Sequence, residues 1–246
     1  MKPALTYCLL LASTLYFPCA VAFTPLHRGQ SRFFLDTADT QDWESLLPTG
    51  IFHGVTTNPT LLKRAGEPCT VENLHRLANK ALSFSDEFMC QAWGDDLFAR
   101  GMELSAPARD CITVKLPVTI KGVQAARKLI QAGCRVCLTA CYNHKQALLA
   151  ASVGAEYLAP YLGRMTDAGL DGQGECCYMN KIVQGMGSST RILVASLRDA
   201  ETLAQLSAEC GMDTYTFSPA IARQLFIEPL TDKAATIFEV DAKGAI

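Results

Sequence analysis

Cys111-Ile112-Thr113-Val114-Lys115-Leu116-Pro117 is a short, mostly apolar run. An amphipathic stretch follows over 121–132, then Gly133, then a second apolar run, Arg135-Val136-Cys137-Leu138-Thr139-Ala140-Cys141. Strand, helix and strand in that order call for two parallel strands joined by a helical crossover. The same unit recurs on both sides. Strand candidates are 33–37, 52–57, 87–93, 111–116, 135–141, 155–162, 191–196 and 213–218, and several lack polar alternation, as strands covered on both faces do. Helical patterns occupy 39–47, 71–85, 96–106, 121–132, 143–153, 175–186, 199–209 and 219–227. Gly133, Gly154 and Gly211 follow helical stretches, where a left-handed cap is expected, and Asp199 and Ser218 precede them as N-caps. Eight strands alternating with eight helices predict an α/β fold, a single closed (β/α)8 TIM barrel. The competing open sheet would carry a Gly-x-Gly-x-x-Gly turn after its first strand, and none is present.

The chain has 246 residues, 49% of them apolar, with 22 Lys+Arg against 24 Asp+Glu. That length fits one large α/β domain or two small ones, and the apolar content excludes wholesale disorder. The slight negative charge argues against a nucleic-acid surface, which needs a basic stripe to neutralise phosphates. No run of 18 or more apolar residues appears, so no membrane span is expected in the mature form.

Residues 1–32 hold no Asp or Glu. Lys2, the apolar run Ala4 to Phe17 and the small-x-small triplet Ala20-Val21-Ala22 read as a cleavable signal peptide over 1–22. Residues 23–32, from Phe23 to Arg32, are basic and acid-free, in the manner of a transit peptide. Together they resemble the bipartite plastid leaders of algae with secondary plastids; plain secretion is the alternative. The leader takes three basic and no acidic residues with it, so the net charge falls from −2 to −5. The expected organisation is thus leader, a catalytic barrel over 33–229, and a C-terminal helical tail over 230–246.

In a barrel of this type function collects at the C-terminal ends of the strands. The polar residues there are Asp36, Thr56 with Asn58, Gln91, Lys115, Thr139, Tyr161 with Arg164, and Ser196 with Arg198. Lys115 stands out, because an apolar strand buries it. Burial penalises the ammonium form, and a neutral amine attacks a carbonyl, so a lysine aimed into a barrel is a Schiff-base candidate. A strand-end lysine paired for structure alone is the bland alternative. Arg164, Ser196 and Arg198 suit a phosphate, which guanidinium groups bind through two parallel hydrogen bonds.

Several segments, read together, resemble the transaldolase family. They are Phe34-Leu35-Asp36-Thr37-Ala38, Gly54-Val55-Thr56-Thr57-Asn58-Pro59-Thr60, Val114-Lys115-Leu116-Pro117, the segment from Ala155 to Arg164, and Ala195-Ser196. The resemblance runs from about Phe33 to the C-terminus and is closest to the small-chain branch that includes fructose-6-phosphate aldolase. It implies a class I mechanism with no metal and no cofactor. Lys115 would form the imine and Asp36 would move protons. Gln91, Thr139 and Tyr161 would hold a catalytic water. Thr56 and Asn58 would bind substrate hydroxyls, and Arg164, Ser196 and Arg198 the phosphate. It further implies sugar phosphates as the small-molecule partners and a homo-oligomer, a pentamer or decamer, with the C-terminal helix on a neighbouring subunit. Gln91 and Tyr161 are the choices of the aldolase branch, whereas Arg198 fits transaldolases better. Cys137 departs from the transaldolase pattern, which tends to have Asn there. A transaldolase of the pentose phosphate pathway is therefore the leading expectation and a fructose-6-phosphate aldolase the second. A non-enzymatic sugar-phosphate-binding barrel and a secreted, disulfide-bonded module are the readings outside that class.

The leader carries two of the eleven cysteines, leaving nine. Cys134, Cys137 and Cys141 have a ligand-like spacing, but on a strand residues three apart point to opposite faces, which suits no tetrahedral metal. The nine are expected to be reduced core thiols, and a disulfide between the adjacent Cys176 and Cys177 would be strained. His27, His53, His75 and His144 show no ligand spacing and read as satisfied or surface residues.

Overall fold

A computed structural model describes residues 31–244 of the chain; the leader expected over 1–32 lies almost wholly outside the described residues. Eight parallel strands form one sheet: β1 (Arg32–Asp36), β2 (Phe52–Thr56), β3 (Glu87–Gln91), β4 (Ile112–Pro117), β5 (Arg135–Cys141), β6 (Tyr157–Pro160), β7 (Arg191–Ile192) and β8 (Thr214–Phe217). The order β7-β6-β5-β4-β3-β2-β1-β8 is that of a barrel. It closes where Val194 pairs with Tyr215, the Val194 amide donating to Thr214 at 3.0 Å and the Thr216 amide to Val194 at 2.9 Å. The expected (β/α)8 barrel is therefore the observed fold.

Eleven helices surround it among the described residues: α1 (Thr40–Leu46), α2 (Pro59–Arg64), α3 (Val71–Leu82), α4 (Leu97–Ser105), α5 (Ile120–Gln131), α6 (Gln146–Val153), α7 (Leu162–Asp167), α8 (Gly172–Gly185), α9 (Glu201–Cys210), α10 (Pro219–Gln224) and α11 (Pro229–Gly244). Strict alternation missed α2 and α7, the short helices directly after β2 and β6. Both had local cues. Asn58 caps α2 by accepting from the amides of Thr60 and Leu61, and Pro59 occupies the first turn, where its missing N–H costs nothing. The strand expected over 155–162 ends early because Leu162 already opens α7.

The helices bury one stripe against the strands. In α3, Leu74, Leu77, Ala78 and Ala81 face inward, spaced for a period of 3.6 residues. Each leucine contributes roughly 1.5–3 kcal/mol relative to exposure. Inside the barrel a second core forms from Phe34, Met89, Cys137, Tyr157, Ala159 and Leu193. Gly54 makes room for it: a Cβ there would lie 2.3 Å from the Glu87 carbonyl oxygen and 2.8 Å from the Phe34 ring.

The barrel floor is ionic. Glu87 is fully buried and accepts hydrogen bonds from Thr113 (2.6 Å), Arg135 (2.7 Å) and Tyr157 (2.9 Å), with His53 at 3.2 Å. Arg135 and Arg32 also bond Glu156, at 2.6 and 2.8 Å. Burial alone would raise the Glu156 carboxyl, but the two arginines outweigh it and hold it at about 2. A fully buried carboxylate such as Glu87 is tolerated only while its partners stay in place.

The tail differs from the rest. No residue of α11 is buried, and Leu230, Ile237, Phe238 and Val240 lie exposed along it. No helix among the described residues is long and apolar enough to cross a membrane.

One expectation about the cysteines is corrected. Cys177 in α8 and Cys210 at the end of α9 form a disulfide, their Cα atoms 5.4 Å apart. Packing of α8 on α9 brings together two residues 33 apart in sequence, a pairing that spacing alone does not reveal. The other seven cysteines in the described residues take no part in that bond. Cys134 points into the outer core and Cys137 into the barrel core, the opposite faces expected of residues three apart on a strand, and the bulge at Ala140 turns Cys141 outward as well. His53, His75 and His144 each have a partner: Glu87, the Glu103 carbonyl and Glu175.

Candidate active site

At the C-terminal ends of the strands a cavity of about 390 Å³ opens. Lys115 lines it from the fourth strand although only 3% of the residue is exposed. Its Nζ donates to the Thr57 carbonyl oxygen at 3.2 Å, which fixes the amine at the strand end beneath the mouth. The start of α5 packs close against the same strand. A Cβ on Gly122 would sit 1.8 Å from the Pro117 oxygen, so glycine allows the helix to seat where β4 ends.

Asp36, at the end of β1, lines the same cavity. Thr56 donates from Oγ1 to Asp36 Oδ1 at 2.7 Å and also shares a hydrogen bond of 2.5 Å with the Thr216 hydroxyl. Thr56 thus orients the carboxylate, since it is fully buried and does not line the cavity. Asn58 lines the cavity while capping α2, so its Oδ1 is already engaged by backbone amides and its amide nitrogen is the end left for a ligand.

On the other side Thr139 donates from Oγ1 to the Tyr161 hydroxyl at 3.1 Å. Gln91 stands beside Lys115 in the strand register, yet its Nε2 donates to the Ala92 carbonyl at 3.3 Å rather than to that pair. The expected trio is therefore a bonded pair with Gln91 as a neighbour. Cys137 is in register with Lys115 on the opposite side, and burial pushes its thiol up to about 12, so it stays protonated at neutral pH.

Arg164, Ser196 and Arg198 all line the cavity. The Arg164 guanidinium lies 4.8 Å from the centre of the Tyr161 ring and reaches the Tyr142 hydroxyl at 3.4 Å. Ser196 holds φ +60, a left-handed backbone unusual outside glycine, at the turn after the seventh strand. Its carbonyl accepts from the Gly163 amide at 2.9 Å. A Cβ on Gly163 would lie 2.1 Å from that oxygen, so the glycine allows the start of α7 and the Ser196 turn to touch. Arg198 pairs with Asp167.

The structure thus collects Asp36, Asn58, Lys115, Tyr161, Arg164, Ser196 and Arg198 around one space. Thr56, Gln91 and Thr139 stand behind it. Sequence reading missed Arg64 and Asp167, which also line it, and Tyr142, which holds Arg164. Arg64 and Asp167 lie in the two short helices that strict alternation overlooked. Among the described residues no group of three or more His, Cys, Asp or Glu comes together as a metal site.

Comparison with known proteins agrees with this geometry. A family model described as "Transaldolase/Fructose-6-phosphate aldolase" matches residues 33–245. A protein of Hyphomonas neptunium named "Probable transaldolase" is 38% identical over 214 residues, covering 87% of this chain and 98% of its own. Others bearing the same name, from Rhizorhabdus wittichii and Chelativorans sp., are 34% and 33% identical, each covering 85% of this chain and 95% of its own. The chain belongs to the transaldolase/fructose-6-phosphate aldolase family and is an enzyme of transaldolase type.

Proposed function

We propose that the enzyme transfers a dihydroxyacetone unit from a ketose phosphate, fructose 6-phosphate or sedoheptulose 7-phosphate, to an aldose phosphate, as a transaldolase of the pentose phosphate pathway. The observation that carries this reading is Lys115, a buried amine at the base of a cavity shared with a carboxylate and arginines. In the proposed reaction the Lys115 amine attacks the C2 carbonyl, water leaves, and an iminium forms. Asp36 takes the proton of the C4 hydroxyl, the C3–C4 bond breaks, and its electrons flow into the iminium to give an enamine. The aldehyde departs with the phosphate. The enamine then attacks an acceptor aldehyde, and hydrolysis of the new iminium frees Lys115.

Arg164, Ser196 and Arg198 hold the phosphate in this account, with Asn58 on a substrate hydroxyl. Thr56 acts by holding Asp36. Thr139, Tyr161 and Gln91 place the water that hydrolyses the iminium. The Thr139–Tyr161 hydrogen bond favours a second reading, a fructose-6-phosphate aldolase. A tyrosine hydroxyl can protonate the enamine directly, releasing dihydroxyacetone beside glyceraldehyde 3-phosphate. An acceptor assay separates the two. Sedoheptulose 7-phosphate formed only when erythrose 4-phosphate accompanies fructose 6-phosphate supports transfer; free dihydroxyacetone without acceptor supports the aldolase.

We further propose a homo-oligomer, a pentamer or decamer, in which a second copy covers the apolar face of α11. Sedimentation of the mature chain as a monomer would refute it. The leader is proposed to route the protein to a plastid, with secretion as the alternative. A fluorescent fusion of residues 1–32 found outside plastids would refute that routing.

A further inference from the structure

Arg64 has no part in the account above, although it lines the same cavity as Lys115, Arg164 and Arg198. Its placement is built by α2. Asn58 fixes the start of that helix, and Leu62, 1% exposed, anchors it in the core. Thr60, Leu61 and Arg64 all line the cavity, and their spacing of three and four residues puts them on one helix face. The neighbouring Lys63 lies about 100° round the helix and does not line it. The arginine is thus directed at the mouth by a capped and anchored helix.

The charges explain why that matters. Four cations line the cavity (Arg64, Lys115, Arg164 and Arg198) against two carboxylates (Asp36 and Asp167). Asp36 and Lys115 contribute one formal charge of each sign at the base. Arg198 is tied to Asp167, which neutralises it. Arg164 lies against Tyr161 and Tyr142 and feels Asp36 only through space, and among the described residues neither Arg164 nor Arg64 makes an ion pair. Two guanidiniums without an ion-pair partner therefore face one cleft, in a domain whose net charge is −5. Like charges brought together repel, and the cleft walls focus their field. A phosphate monoester brings about −1.5 to −2 at neutral pH, which matches the excess.

We propose that Arg64 is a further phosphate-binding residue, which clamps the substrate phosphate from the α2 side of the mouth opposite Arg164. Asp167 is its counterweight, holding Arg198 back until an anion arrives. This rests on the sugar-phosphate reading above. It adds a cation from an element on the far side of the mouth and makes the phosphate site depend on a competing carboxylate.

Inorganic phosphate tests it directly. Its inhibition constant and the KM for fructose 6-phosphate are measured for the wild type, Arg64→Gln, Arg64→Lys and the double variant Arg64→Gln/Asp167→Asn. Thermal unfolding confirms that each is folded. Arg64→Gln is expected to weaken phosphate and raise KM by about tenfold, the scale of one charge-assisted contact, with a much smaller change in kcat. Arg64→Lys should recover most of the loss. Adding Asp167→Asn to Arg64→Gln should recover part of it, because it releases Arg198. An Arg64 that only stabilises the end of α2 would shift the melting temperature and leave both constants alone, which overturns the proposal. If wild type binds phosphate and Arg64→Gln binds it equally well, the proposal alone falls. If wild type is indifferent to phosphate, the sugar-phosphate reading falls and takes the proposal with it.

Discussion

Thr139 on β5 and Tyr161, just past the end of β6 at the barrel mouth, share a 3.1 Å hydrogen bond in which the threonine donates. The tyrosine proton is therefore left for another acceptor, such as a water or the enamine carbon. Tyr161→Phe should lower release of free dihydroxyacetone by about 10²-fold, within the range for a lost general acid, and lower transfer to an aldose phosphate by less than about tenfold. Equal losses in both activities would contradict the proton-donor role. The ratio of the two activities, measured on one preparation, is the readout.

Gly163 and Ser196 make a second, purely steric prediction. A Cβ at Gly163 would stand 2.1 Å from the Ser196 carbonyl oxygen and about 3.0 Å from the Arg198 Nε. Backbone cannot yield as a side chain does, so Gly163→Ala should displace the Ser196 turn. The KM for fructose 6-phosphate should rise at least tenfold, since shifts near 1 Å carry penalties of about that size or more. An unchanged KM would show that the turn plays no part in substrate binding.

The barrel floor should decide acid stability. Glu156 sits at about 2 in the folded chain, below the ordinary carboxylate value. A depressed carboxyl contributes stability that is present above about pH 4.5 and is lost as pH falls toward 2. Arg135→Met removes the larger part of that contribution, leaving Arg32 alone on Glu156, and deprives the fully buried Glu87 of its arginine. Chemical denaturation at pH 7 should show a loss of about 3–5 kcal/mol, the cost of a broken buried pair. The acid limb of the stability curve should flatten as well. A loss under about 1 kcal/mol would mean that the network is dispensable.

The Cys177–Cys210 bond closes a loop of 33 residues in a chain with seven other described thiols. Thiol titration of the unfolded, unreduced segment 33–246 should count seven, and nine after reduction. Cys210→Ser should cost about 3–4 kcal/mol on the chain-entropy scale for a loop of that length. A count of nine without reductant would place both cysteines with the free thiols.

Much of this architecture was legible in the residues. Apolar strands and amphipathic helices alternate with a clear change of period, so the barrel and the strand carrying Lys115 follow from pattern alone. The polar strand ends pointed to one mouth because a parallel barrel leaves them only one end to share. What escaped was local or long-range. Arg64 and Asp167 sit in six-residue helices too short for periodicity to register, although Asn58-Pro59 marked the first of them. Tyr142 follows the bulge at Ala140, where a left-handed backbone shifts the strand register. Cys177 and Cys210 meet only through the packing of two helices. The ties among Glu87, Arg135, Glu156 and Arg32 span as many as 124 positions and leave no trace in spacing.

The central claim is that Lys115 forms the covalent intermediate. Borohydride added during turnover of fructose 6-phosphate should reduce that intermediate to a stable secondary amine. Peptide mass spectrometry should then find a three-carbon dihydroxyacetone-derived group on Lys115, and none in Lys115→Met. An unmodified Lys115 in an enzyme that consumes the substrate, or the adduct on a different lysine, would contradict the account.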